Sequence, residues 1–123
     1  MSVKNFMTAS QIIGQNVINS HGEDIGKIKD LVVNIRSDEI AYAVLSFGGF
    51  LGMGDKLFAI PFQLMKINPK KDFVVLDMKK SVLEKAPGFD KQNWPDFNNS
   101  KWIDTIETYY VASFEAFREE ELI

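Results

Sequence analysis

Six short apolar runs, separated by polar or glycine-containing turns, fill residues 15–78 of this 123-residue chain. The runs are too short for long helices, and they are rich in the β-branched and aromatic residues that strands favour. A series of short strands joined by turns is typical of a small antiparallel barrel or sandwich. The predicted fold is therefore mainly β, with strands over residues 15–19, 24–35, 40–47, 56–61, 65–68 and 73–78.

The pattern changes from strand to helix after residue 80. Residues 81–86 form a short helix candidate, which Pro87 and Gly88 end, and an aromatic-bearing loop covers residues 89–99. Apolar residues then recur every three or four positions, which predicts an amphipathic helix capped by Asn99 or Ser100: they are Ile103, Ile106, Tyr110, Phe114 and Phe117. We expect residues 1–80 to form the barrel domain and residues 81–123 to form a helical extension of the same domain.

The strand over residues 40–47 is apolar on both faces. The interior of a small barrel accounts for only one of these faces, so the other needs a cover. The C-terminal helix is the first candidate for that cover, and a homodimer partner is the second. If the helix is the cover, Trp102 and Ile106 are expected to make buried contacts.

The composition excludes several classes of function. The chain has no cysteine, which rules out disulfides, thiol catalysis and cysteine-based zinc sites. Its one histidine, His21, lies in a predicted turn without a second histidine at metal-binding spacing, and there is no nucleophile-elbow motif. The carboxylates of Glu23, Asp24 and Asp30 are interpreted as turn caps and local hydrogen-bond acceptors. We therefore expect a non-enzymatic protein with no catalytic residue, metal or cofactor.

The sequence also bears on location. No apolar run reaches the length of about 18 residues that a membrane span needs. The first residues contain no long apolar segment of the kind found in a secretory signal. The expected location is the cytoplasm, with no membrane span.

The net charge of −3 is unevenly distributed. Residues 66–91 are rich in lysine, whereas residues 92–123 are strongly acidic. The simpler interpretation is that both segments form solvent-exposed faces. The alternative is that the lysine-rich segment contacts the acidic segment, within one chain or across a dimer. A nucleic-acid partner is not expected, because acidic residues interrupt the lysines. A ribosome- or RNA-associated role would need one continuous surface from Lys66, Lys70, Lys71, Lys79 and Lys80.

The segment 48–54 contains four glycines, Gly48, Gly49, Gly52 and Gly54, and three large apolar residues, Phe50, Leu51 and Met53. The next element is a strand rather than a helix, so the segment does not match a phosphate-binding loop. The apolar side chains need a cover, which is either the chain's own barrel or a partner. We predict that Phe50, Leu51 and Met53 contact protein and mediate self-association. The other predicted turn or bulge glycines are Gly14, Gly22 and Gly26.

Two stretches and the start of the tail resemble the PRC-barrel family, named for the cytoplasmic domain of the photosynthetic reaction centre H subunit. The resemblance covers about residues 8–80 and implies a small six-stranded β-barrel with glycines at its corners and turns. The residues that carry it are Ser10-Gln-Ile-Ile-Gly14-x-x-Val17-x-Asn19-x-x-Gly22-Glu23-x-Ile25-Gly26-Lys27-Ile28-x-Asp30-Leu31-Val32, Gly48-Gly-Phe-Leu-Gly-Met-Gly-Asp-Lys-Leu-Phe-Ala-Ile-Pro61 and Pro87-Gly-Phe-Asp-Lys-Gln-Asn-Trp-Pro-Asp96.

The resemblance implies a protein-binding role rather than a reaction. The family includes the reaction-centre subunit and a ribosome-maturation factor, and in both the barrel contacts protein. This chain lacks the transmembrane helix of the first and the N-terminal domain of the second, and the family offers no catalytic motif to map. We therefore predict an adaptor or assembly module that binds an unidentified protein and forms homo-oligomers, with a homodimer as the simplest case.

Overall fold

The structure, a computed structural model, describes residues 5–48 and 55–121. A short helix, α1 (Ala9–Ile12), precedes one six-stranded sheet, and two further helices, α2 (Lys80–Glu84) and α3 (Ser100–Glu121), follow it. A single 3-10 turn (Phe62–Leu64) joins the fourth and fifth strands. The strands are β1 (Asn16–Ile18), β2 (Asp24–Asn34), β3 (Glu39–Gly48), β4 (Asp55–Pro61), β5 (Met65–Ile67) and β6 (Phe73–Leu76).

The sheet is mixed, so the prediction of a purely antiparallel barrel was wrong. The strand order is β4-β3-β2-β1-β6-β5, and β1 pairs with β6 in parallel. Strands β5 and β6 pair as an antiparallel hairpin, which joins the sheet along the edge of β1 that β2 leaves open. The connection from β4 through the 3-10 turn carries the chain to the far side of β1, and β6 then runs in the direction of β1. The result is a half-barrel with β4 and β5 at its two ends.

The core fills the concave side of the half-barrel and extends to the helices. Strands β3 and β4 contribute consecutive buried residues, as expected for strands that are covered on both faces. Helix α3 supplies part of the cover: Ile106 is 1% exposed, as predicted, and Tyr110 is fully buried. Trp102, which was also predicted to be buried, is only half-buried and packs against the rings of Tyr42 and Phe97.

Side chains cap the N-termini of α1 and α3, and the cap of α3 is the predicted Asn99. The Thr8 side chain accepts a hydrogen bond from the Gln11 N–H, and the Gln11 side chain accepts one from the Thr8 N–H. This reciprocal pair is a capping box, and it fixes the entry to α1. At α3, the Asn99 Oδ1 atom accepts from the N–H groups of Lys101 and Trp102 at 3.0 and 3.1 Å. In the part of the chain that the structure describes, no helix has both the length and the apolar character needed to cross a membrane.

Candidate functional site

A groove of about 590 Å³ lies between the hairpin of β2 and β3, the 3-10 turn and the first half of α3. We call it the distal groove. Among the described residues, β2 has a second neighbour only as far as Ile28, because β1 ends its pairing there. Beyond Ile28, the only described strand that pairs with β2 is β3. The lining residues are Val32, Val33, Asn34, Ile35, Arg36, Glu39, Ile40, Ala41, Tyr42, Pro61, Gln63, Phe97, Asn98, Ile103 and Glu107.

Two apolar side chains on the hairpin are exposed at the distal groove. Val33 is 56% exposed and Ile35 is 86% exposed. A register shift between Val32 and Val33 interrupts the alternation of inward-facing and outward-facing side chains along β2. The regular pattern of buried residues therefore ends at this point. Burying such a side chain fully is worth roughly 1.5–3 kcal/mol, so two of them in solvent forgo a substantial stabilisation.

The turn that carries Ile35 is held by side-chain hydrogen bonds. The Oδ1 atom of Asn34 accepts from the N–H groups of Arg36 and Ser37 at 3.0 and 3.3 Å. Asp38 completes the turn with a φ of 58°, a conformation that aspartate tolerates better than most residues. Ile35 therefore occupies a defined position outside the sheet.

The rings of Tyr42 and Phe97 line the distal groove and belong to a larger aromatic cluster. We call these two rings the aromatic wall. The Tyr42 ring lies 5.5 Å from the Trp102 ring and 6.3 Å from the Phe97 ring, between centroids. Phe97 and Trp102 are 5.1 Å apart with nearly perpendicular planes, and Trp94 continues the cluster at 6.2 Å from Phe97. Edge-to-face contacts of this kind favour fixed ring positions. The wall is thus formed before any partner arrives.

One hydrogen bond ties the sheet to α3 across the groove. The Tyr42 hydroxyl donates to the Glu107 Oε1 atom at 3.2 Å. Burial raises the pKa of Tyr42 to about 12, and the negative charge of Glu107 and this hydrogen bond act in the same direction. The phenol therefore stays a neutral donor at physiological pH, and it holds the Glu107 carboxylate at the groove.

Two further charges line the distal groove without a partner in the described part of the chain. The Arg36 guanidinium and the Glu39 carboxylate form no ion pair or side-chain hydrogen bond with any other described residue. With Glu107, the groove presents one basic and two acidic groups around an apolar centre.

The residues singled out from the sequence are placed as follows. Phe50, Leu51 and Met53, with Gly49, Gly52 and Gly54, lie outside the described residues. Gly48 ends β3 with a φ of 99°, and the remaining predicted turn glycines also have positive φ values, with Gly14 at 97°, Gly22 at 79° and Gly26 at 126°. In the described ranges, no group of three or more His, Asp or Glu side chains is arranged to hold a metal ion.

Two of the lysines that the RNA interpretation requires have partners within the chain. The Lys66 Nζ atom lies 3.4 Å from the Asp77 Oδ2 atom. The Lys80 Nζ atom lies 5.9 Å from the centre of the Phe47 ring, beside a second cavity of about 360 Å³ near Gly26 and Gly48. Lys66 and Lys80 therefore each have a contact within the chain.

The sequence analysis did not identify the distal groove, because its residues come from segments far apart in the chain. Val33 and Ile35 fall within the strand predicted over residues 24–35. A usable signal was present: two β-branched apolar residues stand at the end of the longest predicted strand, directly before the polar turn at residues 36–39. The roles of Tyr42, Phe97 and Glu107 depend on tertiary packing alone.

A family model described as PRC-barrel domain matches residues 4–83. These residues include α1, all six strands and most of α2, and α3 follows them. No curated protein matches the chain significantly.

Proposed function

Since the chain belongs to the PRC-barrel domain family, we propose that it is a non-enzymatic protein-binding or assembly module of that type, which self-associates. The proposal assigns the chain no reaction, no cofactor and no metal. It places the module in the cytoplasm, the location expected from the sequence.

The observation that carries the proposal is the exposure of Val33 and Ile35 beside a preformed aromatic wall. Single exposed apolar residues are normal, but two of them on a hydrogen-bonded turn next to a groove form a contiguous feature. Protein interfaces typically have an apolar centre with a polar rim. The distal groove has this composition, with Arg36, Glu39 and Glu107 around the apolar side chains.

The glycine-rich segment provides a second predicted contact region. Phe50, Leu51 and Met53 remain a sequence-based prediction of an interaction surface. Because this segment follows Gly48, at the end of β3 opposite the hairpin turn, its variants can be compared with variants of the distal groove.

Site-specific photocross-linking in living cells tests the proposal. A photoreactive phenylalanine analogue is placed at Ile35, and at Lys70, an exposed residue outside the distal groove, as the control. We expect the Ile35 probe to form a discrete covalent adduct with a protein, while the Lys70 probe does not. If irradiation yields no protein adduct at Ile35, the distal groove is not a protein-binding surface.

A further inference from the structure

We propose that the distal groove binds a second copy of this chain through a two-fold interface, in which the β2–β3 hairpin of each protomer enters the groove of the other. The inference rests on the proposed function and names the partner for this surface.

The charges that line the distal groove are self-complementary. In a two-fold interface every contact occurs twice, because residue i meets residue j of the partner and residue j meets residue i. A suitable patch must therefore contain both charge signs. Arg36, Glu39 and Glu107 line one groove, and Arg36 and Glu39 form no ion pair with another described residue. Arg36 of each protomer can then pair with Glu107 of the other.

The Glu107 carboxylate is held in place at the distal groove. Its Oε1 atom accepts the hydrogen bond from Tyr42, while its Oε2 atom forms no hydrogen bond with a described residue. Because the Tyr42 hydroxyl orients the carboxylate, an incoming guanidinium meets a fixed acceptor. Charge-assisted hydrogen bonds to such an acceptor are stronger than those between neutral groups.

Ile35 does not fill the groove that it lines. Ile35 lines the distal groove yet remains 86% exposed, because the turn holds it at the rim. Phe97, which is half-buried, lines the same groove and offers an apolar surface that Ile35 of the same protomer does not cover. The hairpin of a second copy carries the same isoleucine. It enters the groove from outside the protomer, so its side chain can cover this surface.

The interface is expected to be weak. Stable complexes bury about 1,200–2,000 Å² in total, and smaller interfaces belong to transient associations. A hairpin tip and one groove from each copy lie at the lower end of that scale. The dimer should therefore form at micromolar to high-micromolar concentration, and its population should depend on concentration.

Sedimentation equilibrium of the full chain tests the first part of the proposal. We expect the apparent mass of the wild type to rise from 14.0 kDa towards twice that value with increasing concentration. Ile35→Asp should remain monomeric, and its circular dichroism should match the wild type because the side chain is exposed. Phe6→Asp is the matched control, since Phe6 is an exposed apolar residue outside the distal groove; it should dimerise like the wild type.

A charge exchange tests the ion pair itself. Arg36→Glu and Glu107→Lys each place like charges in both copies of the contact, so each variant alone should dimerise at least about tenfold more weakly. An equimolar mixture of the two restores both pairs in the heterodimer, so its affinity should return towards that of the wild type. A mixture that stays monomeric while the wild type dimerises would refute the Arg36–Glu107 contact.

The remaining outcomes separate this inference from the proposed function. A wild type that stays monomeric at high micromolar concentration, or an Ile35→Asp variant that dimerises normally, overturns the second-copy assignment. If dimers persist in Ile35→Asp but dissociate in Phe50→Asp/Met53→Asp, self-association belongs to the glycine-rich segment instead. A photocross-link from Ile35 to a different protein would still support the protein-binding part of the proposed function in each of these cases, whereas a monomeric wild type would contradict its self-association.

Discussion

Gly26 shows how one residue fixes a corner of the sheet. Its φ of 126° lies in a region that residues with side chains rarely adopt, and a β-carbon there would collide with the backbone oxygen of Ser46. The sequence predicted a bulge or tight bend at this position, because glycine inside a strand weakens it unless its conformation is needed. The contact with Ser46, by contrast, depends on the pairing of β2 with β3 and has no local signal.

Gly26→Ala should therefore be one of the most destabilising substitutions in the chain. We expect a loss of about 3 kcal/mol or more in the free energy of unfolding, since backbone strain and a backbone collision act together. Gly14→Ala is the control: Gly14 also has a positive φ, but a β-carbon added there would meet no atom within 4 Å, so this variant should lose about 1 kcal/mol. Urea denaturation of the two variants measures the difference, and equal losses would contradict the role of the collision.

The adjacent tyrosines of α3 offer a second comparison at this scale. The Tyr109 hydroxyl donates to the Val82 carbonyl oxygen at 2.6 Å, whereas the Tyr110 hydroxyl is buried and has no hydrogen-bond partner among the described residues. Tyr109→Phe should lose about 1 kcal/mol of stability, and Tyr110→Phe should be neutral or stabilising, because an unpaired buried hydroxyl carries a desolvation penalty. Thermal unfolding of both variants checks this, and a larger loss for Tyr110→Phe would contradict it.

Tyr42 gives the chain a predicted pH dependence. Burial, followed by the Glu107 charge and hydrogen bond, raises its pKa to about 12, whereas a tyrosine in an unfolded chain ionises near pH 10. The stabilisation linked to this group is therefore complete below about pH 10, and it is lost as the pH rises towards about 12, because only the unfolded state releases the proton readily.

Urea titrations from about pH 9 to about pH 12 test this linkage. Tyr42→Phe should make the fall in stability shallower than in the wild type. Some fall should remain, since the pKa values of Tyr109 and Tyr110 are also raised by burial. If the two curves have the same slope, Tyr42 does not titrate as described.

At the scale of elements, α3 determines how much of the sheet is covered. Its apolar spacing and its Asn99 cap were both readable from the sequence, because they are local features with a helical period. The extent of burial along the helix was not readable. Ile106 is buried in the core, whereas Trp102 is half-buried and packs against the rings of Tyr42 and Phe97. The spacing of the apolar residues predicts which face of the helix packs on the sheet, but not how deeply each side chain is buried.

Ile106→Ala tests whether α3 contributes to stability as a packed element. Truncating a buried isoleucine typically costs about 2–5 kcal/mol, so a marked fall in the melting temperature is expected. Thr105→Ala is the matched control on the exposed face of the same helix, and it should change the stability by no more than about 0.5 kcal/mol. Similar melting temperatures for both variants would mean that α3 is not packed on the sheet.

At the scale of the whole molecule, local patterns predicted the six strands, but they did not determine the strand order. Each strand and turn has a signal within a few residues, such as β-branched runs or glycine with positive φ. The parallel pairing of β1 with β6 depends on the path of the chain between β4 and β5, which no local pattern encodes. The distal groove was missed for the same reason, since the hairpin, the 3-10 turn and α3 meet only after folding.

Hydrogen–deuterium exchange on the full chain, at low and at high protein concentration, tests the central claim that the distal groove is the protein-binding surface and that a second copy fills it. Peptides covering residues 33–40 and 98–107 should exchange more slowly at high concentration, because dimerisation buries the hairpin and the first half of α3. Peptides covering residues 66–72 should exchange equally at both concentrations. Exchange that is independent of concentration in residues 33–40 and 98–107, or slowed only around residues 49–54, would contradict the account.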